Sequence, residues 1–354
     1  MGVYGIGLIA HVGAGKTSLA EAMLHVAGRL PKMGLIEQGT TALDAEPEEK
    51  SRHSSTQAHL AWLDWEGQRL ELIDTPGSAN FLSGTIGAMR VIDGAVMLAS
   101  AEPGIQSQTD LLMEYLDKRE VPRLMVINKM DREQANFTKR LETLNHELGN
   151  RFVAIELPWG EADKFKGVID LVELKAYDYS IPDKPKVTDI PAEWAGAVEE
   201  ARAKLIERAA EGDDELTEKF LESETLTQEE LLLGLTLGTQ AGKFIPVLCT
   251  AATKNIGTDR VLHAAVKLLP DYERRVAMLK DRDSAPAGCV PDTFASHEFA
   301  GIVFKTKLDH YAGKLSIVRV RSGVLKAGEE VFNSSTHSTE RPAHHFATLL
   351  RFSR

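Results

Sequence analysis

The chain has 354 residues, of which 43% are hydrophobic and 26% are charged. This is the composition of an ordinary globular protein with room for two or three compact units, so intrinsic disorder is not expected. Its 41 basic and 52 acidic residues give a formal net charge of −11. A free-standing nucleic-acid binder needs a basic surface, so free DNA is not an expected partner.

The sequence carries no sign of secretion or of membrane insertion. Its longest apolar runs, such as Ala95–Ala99, are far shorter than the roughly 20 residues that cross a bilayer. The N-terminus lacks the basic flank and the cleavage site of a signal peptide. The two cysteines, Cys249 and Cys289, are too few for a disulfide framework and fit no metal spacing. We therefore expect a cytoplasmic protein, and a monomer.

From the N-terminus, strand-like and helix-like segments alternate, which is typical of a mostly parallel α/β sheet. Apolar residues three, four and seven positions after Leu19 predict a helix that opens at Lys16. The turn Glu66-Gly67 between two strand-like runs predicts a hairpin. The predicted strands are 5–10, 60–65, 69–74, 94–100, 123–128 and 244–249.

The middle of the chain has a different character. Acidic helical runs at 191–221 and 228–237 replace the alternating pattern before an apolar strand resumes. We interpret 157–243 as an insertion in the α/β domain, which then comprises 1–156 and 244–270.

Beyond this domain the composition changes twice. Residues 271–291 are rich in Pro, Asp, Arg and Ala and are interpreted as a linker. Residues 292–354 contain short runs of Val, Ile and Phe punctuated by glycines, which predict the start of a β-barrel domain. About 60 residues are too few to close such a barrel, so we expect it to be truncated.

The run Ala10-His11-Val12-Gly13-Ala14-Gly15-Lys16-Thr17 joins a predicted strand to a predicted helix, the context of a phosphate loop. Backbone N–H groups at a helix N-terminus point toward an anion, and the helix dipole adds to the attraction. We expect Lys16 to reach the β- and γ-phosphates, Thr17 to ligate Mg²⁺, and the stretch through Ser18 to line the nucleotide. The alternative is a glycine-rich turn that only links strand to helix.

Asp74-Thr75-Pro76-Gly77 ends another predicted strand. Asp74 can hold Mg²⁺ through water, and the Gly77 amide can sense a γ-phosphate. The same four residues would also form an ordinary turn. The phosphate loop that precedes them favours the nucleotide interpretation.

Asn128-Lys129-Met130-Asp131 ends a further strand and is interpreted as the base-selecting element. The Asp131 carboxylate can accept two hydrogen bonds from guanine, and adenine would leave it unpaired. Lys129 can lie along the base, and Asn128 can tie this loop to the phosphate loop. Ala251-Ala252, after the last strand, would present backbone amides to the guanine O6, although any small-residue turn would look the same.

These residues resemble translational GTPases, most closely the bacterial elongation factor G group. The similarity covers essentially the whole chain, in the family's order and at similar spacing. It is carried by AHVGAGKTSLAEAML, GTTALD, WEGQRLELIDTPG, MRVIDGAVMLASAEPGIQSQT, VPRLMVINKMDR and LPWGEADKFKGVIDLVELKAY.

The resemblance implies GTP and GDP as ligands, Mg²⁺ as cofactor and the ribosome as partner. The interval from about 157 to 243 is similar to the extra subdomain of elongation factor G, which argues against elongation factor Tu. The segment YAGKLSIVRVRSGVLKAGEEV is similar to the beginning of the family's second domain.

Three departures from the family lie near the expected γ-phosphate. Gly13 replaces an Asp of the phosphate loop that is thought to help organise a monovalent cation. Ser55 corresponds to the Mg²⁺-binding Thr of the first switch, and Ser78 to the catalytic His that follows Asp-Thr-Pro-Gly. These changes spare the groups that bind GDP, so the resemblance implies nucleotide binding with slow hydrolysis.

Three functional hypotheses follow. The leading one is an elongation-factor-G-like GTPase that acts on the ribosome, as a paralogue of the main translocase. The second is a GTP-dependent binding or regulatory module without significant hydrolysis. The third is a ribosomal protection protein, although LPWGEADKFKGVIDL is more similar to elongation factor G.

Overall fold

A computed structural model describes residues 1–102, 107–181, 185–280, 299–309 and 313–342. The chain divides into two units, Met1–Tyr272 and Glu273–Arg354, and each is described by itself. Several predictions lie outside the described residues; they concern Cys289, the linker after 280, and 292–298, 310–312 and 343–354 of the second domain.

A seven-stranded sheet forms the centre of the first unit. Its strands are β1 (Val3–Ile9), β2 (His59–Trp65), β3 (Gln68–Asp74), β4 (Gly94–Ser100), β5 (Arg123–Asn128), β6 (Phe152–Ala154) and β11 (Ile245–Cys249). They lie in the order β2-β3-β1-β4-β5-β11-β6. β2 pairs antiparallel with β3, and the other neighbours pair in parallel. The predicted α/β class with a mostly parallel sheet is confirmed.

The central strands are buried on both faces. Every residue of β5 is buried, and so is every residue of β4 except the last. Because successive side chains of a strand point to opposite faces, helices must cover both sides of this sheet. The helices of this part are α1 (Lys16–Val26), α2 (Pro47–Arg52), α3 (Leu82–Met89), α4 (Ser107–Lys118), α5 (Phe137–Leu148) and α9 (Thr258–Leu268).

A second, antiparallel sheet and three helices lie in the chain between β6 and β11. The strands are β7 (Glu156–Trp159), β8 (Gly167–Asp170), β9 (Lys175–Asp178) and β10 (Lys186–Thr188), and the helices are α6 (Ala195–Ala210), α7 (Asp214–Ser223) and α8 (Gln228–Gln240). The acidic helical run predicted at 191–221 falls in two helices, α6 and α7. They separate at Asp213, whose side chain accepts a hydrogen bond from Glu215 N at 3.0 Å and so caps α7.

The predicted linker begins with a helix, α10 (Tyr272–Lys280). This differs from the expected irregular structure, because its Glu, Arg, Met and Leu residues are good helix formers and outweigh the flanking prolines. None of the helices among the described residues is both long and apolar enough to cross a bilayer.

The second unit contains antiparallel strand pairs. β12 (Ala300–Asp309) pairs with β13 (Gly313–Ser322), and β14 (Val331–Asn333) pairs with β15 (Ser338–Glu340). These are two separate two-stranded sheets, so the described part of this unit is β-rich and does not close a barrel.

Candidate nucleotide site

The predicted nucleotide segments meet at one edge of the large sheet. The phosphate loop follows β1, Asp74 ends β3, Asn128 ends β5, and Ala251 follows β11. These four strands are parallel, so the segments that follow them lie at the same edge of the sheet. This is the edge at which open α/β sheets bind ligands.

Two glycines shape the phosphate loop. Gly13 and Gly15 have φ angles of 79° and 96°, in the left-handed region that favours glycine. A Cβ on Gly15 would also lie 2.3 Å from Asn128 Nδ2. Glycine at position 15 is therefore required twice, by its backbone conformation and by the approach of the base-selecting loop.

The Lys16 amino group is buried and contacts the main chain of the phosphate loop. Its Nζ donates hydrogen bonds to Ala10 O at 2.9 Å and to His11 O at 3.0 Å. Burial lowers the pKa of Lys16 to about 8, while Asp74 and Asp44 act in the opposite direction. The loop thus holds a cation that two main-chain carbonyls solvate, at the N-terminus of α1.

The three predicted Mg²⁺ ligands come together. Thr17 Oγ1 donates a hydrogen bond to Asp74 Oδ2 at 2.7 Å and lies 3.1 Å from Ser55 Oγ. Asp74 Oδ1 is buried and accepts no hydrogen bond from the described residues. Burial raises the pKa of Asp74 to about 6, opposed by the charge of Lys16 and the bond from Thr17. Hydroxyl and carboxylate oxygens are the ligands that Mg²⁺ prefers, so the set fits this ion.

The segment after β3 packs directly on the phosphate loop. Thr75 Oγ1 donates to Leu8 O at 2.7 Å, which fixes the segment to β1. A Cβ on Gly77 would lie 2.5 Å from Lys16 Nζ and 2.8 Å from Val12 N. Gly77 therefore permits the close approach that its predicted role requires.

Ser78 has a local structural role as the cap of a turn. Its Oγ accepts a hydrogen bond from Asn80 N at 3.4 Å and caps the short 3-10 turn Ala79–Phe81. The residue is half-buried. Among the described hydrogen bonds, none joins its side chain to the phosphate loop.

Asn128 connects three segments of the site. Its Nδ2 donates to Ala14 O at 2.9 Å, and its Oδ1 accepts from Thr250 Oγ1 at 3.0 Å and from Ala252 N at 3.1 Å. Both side-chain groups of this buried residue are thus engaged. The predicted link between the base-selecting loop and the phosphate loop is present.

The Ala251 and Ala252 amides, which were predicted to contact the guanine O6, have hydrogen-bond acceptors within the protein. Ala251 N donates to Ile256 O at 3.1 Å, and Ala252 N donates to Asn128 Oδ1. Both residues are buried. A contact of either amide with the base would therefore replace one of these intramolecular bonds, and their role stays a prediction.

Asp131 already has a cationic neighbour. Its Oδ2 lies 3.5 Å from Lys254 Nζ, and its side chain is 14% exposed. The preceding Lys129 has a φ of 66°, a conformation uncommon outside glycine. This turn positions Asp131 beyond the end of β5.

His11 is the buried histidine of the phosphate loop. Its Nδ1 lies 3.3 Å from Thr109 Oγ1 on α4. Burial lowers the pKa of His11 to about 4, and the charges of Lys16, Arg140 and Lys129 add to this effect. Its neighbours Val12 and Gly13 are exposed, Ala14 and Thr17 are buried, and Ser18 is half-buried on α1.

Three residues that support the site did not stand out in the sequence. Thr250 positions Asn128, Lys254 pairs with Asp131, and Glu21 of α1 accepts hydrogen bonds from Gly34 N and Ala42 N at 3.0 and 2.6 Å. Thr250 and Lys254 flank the predicted Ala251-Ala252 turn, so its polar neighbours could have been considered. Glu21 carried no such signal, because it lies two residues after Leu19 and so on the opposite side of the helix from the predicted apolar face.

Comparisons with known proteins agree with this geometry. The family model for the elongation factor Tu GTP binding domain matches residues 2–271, and the model for elongation factor G domain 2 matches residues 298–348. A crystal structure of a protein from Thermus thermophilus superposes with a TM-score of 0.83 at 29% sequence identity. The match covers 97% of this chain and 48% of that protein, so the chain spans about half of its length.

Proposed function

Because the chain belongs to the translational GTPases of the elongation factor G type, we propose that it binds GTP and GDP with Mg²⁺ at the described site and acts on the ribosome in the cytoplasm, with slow hydrolysis. One observation carries the nucleotide assignment. Asn128 is hydrogen-bonded both to the phosphate loop and to the segment after β11. The segments expected to bind the base and the phosphates are therefore joined at one edge of the sheet.

The phosphates are bound by the phosphate loop. Lys16 exchanges its two carbonyl acceptors for phosphate oxygens, and the N-terminal amides of the 11-residue helix α1 add their donors. An ammonium buried beside a phosphate is screened little by salt. Lys16 is therefore the largest single contributor to phosphate binding.

Thr17, Ser55 and the unpaired oxygen of Asp74 would hold Mg²⁺. Bound there, the ion would neutralise charge on the phosphates. Asp74 must be ionised for this, and the Lys16 cation beside it favours the carboxylate. Ser55 offers the same type of ligand atom as threonine, a hydroxyl oxygen.

The guanine base is selected by Asp131. Its carboxylate leaves Lys254 and accepts hydrogen bonds from the two N–H groups on the guanine edge, and Lys129 covers the base plane. The base side of the site needs no larger rearrangement, because Asn128 and Thr250 are already bonded.

Hydrolysis is the weaker activity. In phosphoryl transfer the protein acts chiefly by positioning groups and by stabilising charge. Ser78 has a shorter side chain than the family's imidazole, and its hydroxyl already caps a turn. The same observation favours the second candidate function, a GTP-dependent binding module without significant turnover.

One paired experiment tests the proposal and separates the two candidates. Affinities for GDP, GTP, ADP and ATP are measured by competition, and single-turnover GTP hydrolysis is followed with and without ribosomes. Guanine preference with slow, ribosome-stimulated hydrolysis is expected, whereas guanine preference with no hydrolysis supports the binding module. Equal affinity for ATP and GTP would contradict both.

A further inference from the structure

A second group of metal-ligand side chains lies in the segment between α1 and β2. Asp44 precedes α2, Glu49 lies on α2, and His59 is the first residue of β2. One ligand atom from each lies within 4.8 Å of the other two, and within the described residues this is the one such group of three. The proposed nucleotide function uses none of these side chains.

The three side chains are close and buried. His59 Nε2 lies 2.8 Å from Glu49 Oε1 and 3.9 Å from Asp44 Oδ1. Asp44 is 3% exposed and Glu49 is fully buried. Two main-chain amides hold the Glu49 carboxylate in place. Thr56 N and Gln57 N donate hydrogen bonds to Glu49 Oε1 at 2.8 and 3.3 Å.

Two carboxylate oxygens of the group have no hydrogen-bond donor among the described residues. They are Asp44 Oδ1, which faces His59, and Glu49 Oε2. An unpaired buried carboxylate oxygen is costly, so buried carboxylates are ordinarily paired with donors or with a metal ion. A protonated His59 would supply one positive charge for two carboxylates. Lys16 adds favourable potential from outside the group, and Asp74 opposes it.

We propose that Asp44, Glu49 and His59 form a binding site for a divalent transition-metal ion of the zinc type. One imidazole nitrogen and two carboxylates are a donor set that Zn²⁺ accepts, with bonds of about 2.0–2.2 Å and a fourth position left to water. The ion would take Nε2 of His59 and one carboxylate oxygen each from Asp44 and Glu49, including the orphaned Asp44 Oδ1 that lies 3.9 Å from that nitrogen. Mg²⁺ is the poorer occupant, because it prefers oxygen ligands in a full octahedron.

The site would fasten the segment that carries Ser55. Its ligands come from both sides of this segment, and the Asp44 side chain also bonds Ser55. Ser55 in turn lies 3.1 Å from Thr17. Metal at this site therefore holds Ser55 against the phosphate loop, independently of whether the chain hydrolyses GTP.

Zinc binding is measured on the whole chain by equilibrium dialysis, with saturating GDP and Mg²⁺ present to fill the nucleotide site. Cobalt serves as a second probe through its visible absorption. We expect one equivalent of zinc to be lost in His59→Gln, with affinity reduced at least about 100-fold, since changes outside the ligand shell already cost 10–100-fold. Asp44→Asn, nearly identical in shape, should show the same loss and decides the question if His59→Gln fails to fold.

His263→Gln is the matched control. His263 also contacts two carboxylates, Glu66 through Nδ1 at 2.7 Å and Glu173 through Nε2 at 3.3 Å, but on opposite ring nitrogens, so they cannot converge on one ion. Its zinc binding should equal that of the parent. The proposal is overturned if the parent binds no more zinc than His59→Gln, if His263→Gln loses as much, or if Mg²⁺ displaces the zinc at equal concentration.

Hydrogen exchange supplies a readout that needs no nucleotide. Zinc at 100 times its dissociation constant should slow exchange of the Thr56 and Gln57 amides about 100-fold, if their opening requires metal release. No change in these amides on adding zinc would contradict a site made by Glu49.

Discussion

The base side of the nucleotide site is held by buried side-chain hydrogen bonds, whereas two residues on the γ-phosphate side, Gly13 and Ser78, lie nearer the surface. On the base side, Asn128 and Thr250 are almost fully buried and bonded to each other. On the γ-phosphate side, Gly13 is exposed and Ser78 is half-buried, with a single capping bond at 3.4 Å. Ligand binding can therefore use a preformed framework. The proposed slow hydrolysis would depend on these less buried residues of the γ-phosphate side.

The largest expected effect concerns the base side. A site built to pair the edge of guanine should reject adenine by about 10⁴-fold, because Asp131 would be left buried and unpaired. Asp131→Asn should remove most of this preference and shift binding toward xanthine nucleotides, whose carbonyl can accept from an amide. Competition with GDP, ADP and xanthosine diphosphate measures the change.

The exposed Asp110 of α4 provides the control. Asp110→Asn has the same chemistry at a position outside the site and should leave the preference for guanine intact. An Asp131→Asn variant that still prefers GDP over xanthosine diphosphate to the same degree would show that another group reads the base.

The second effect concerns the phosphate loop, which both sides share. Lys16→Ala removes a buried charge-assisted bond to phosphate, a change that typically costs about 2–5 kcal/mol, or at least about 30-fold in affinity. Fluorescent GDP titration measures it, with the exposed Lys139→Ala as control. Unaltered affinity in Lys16→Ala would contradict the phosphate-loop assignment and the comparison built on it.

The third effect would sharpen the contrast between the two sides. Ser78→His should raise the single-turnover rate of GTP hydrolysis on ribosomes by about 100-fold or more, since misplacing a reacting group by 1 Å can cost that factor. Nucleotide affinity should remain that of the parent. Fast turnover in the parent that survives Ser78→Ala would show that a different residue orients the attacking water.

The sequence predicted the sheet and the positions of the motifs because both depend on local signals. Apolar runs such as 94–100 and 123–128 form buried strands almost anywhere, and a polar motif after such a strand lies at the edge of the sheet. Gly15 and Lys16 were recognisable for the same reason. The short strand β6 was not predicted, because three residues are too few to show the alternating pattern of a strand.

What the sequence did not reveal depends on contacts between distant segments. Whether the Ala252 amide faces a base or Asn128 is decided by the path of the chain after β5, far away in the sequence. The approach of His59 to Asp44 likewise follows from how α2 folds back against β2. The helix α10 is a different case, in which local helix propensity outweighed the proline-rich context on which the linker was predicted.

The smallest effect that we predict arises at His11, which belongs to the phosphate loop. In the unfolded chain a histidine titrates near 6.5, whereas burial and three nearby cations lower the pKa of His11 to about 4. Between pH 6.5 and about 4, the His11 side chain is therefore protonated in the unfolded chain but neutral in the folded chain. Stability is unaffected above that pH and is lost as pH falls toward 4, by about 2 kcal/mol between pH 7.5 and 5.

Urea unfolding of the nucleotide-free chain at pH 7.5 and 5 tests this sign. All four tryptophans, Trp62, Trp65, Trp159 and Trp194, belong to the first unit, so their fluorescence reports on the domain that contains His11. His11→Asn should lose less stability on acidification than the parent, by about 2 kcal/mol, whereas the exposed His146→Gln serves as control. If His11→Asn and the parent lose equal stability, the imidazole is not held neutral. The phosphate loop around His11 would then be open to water.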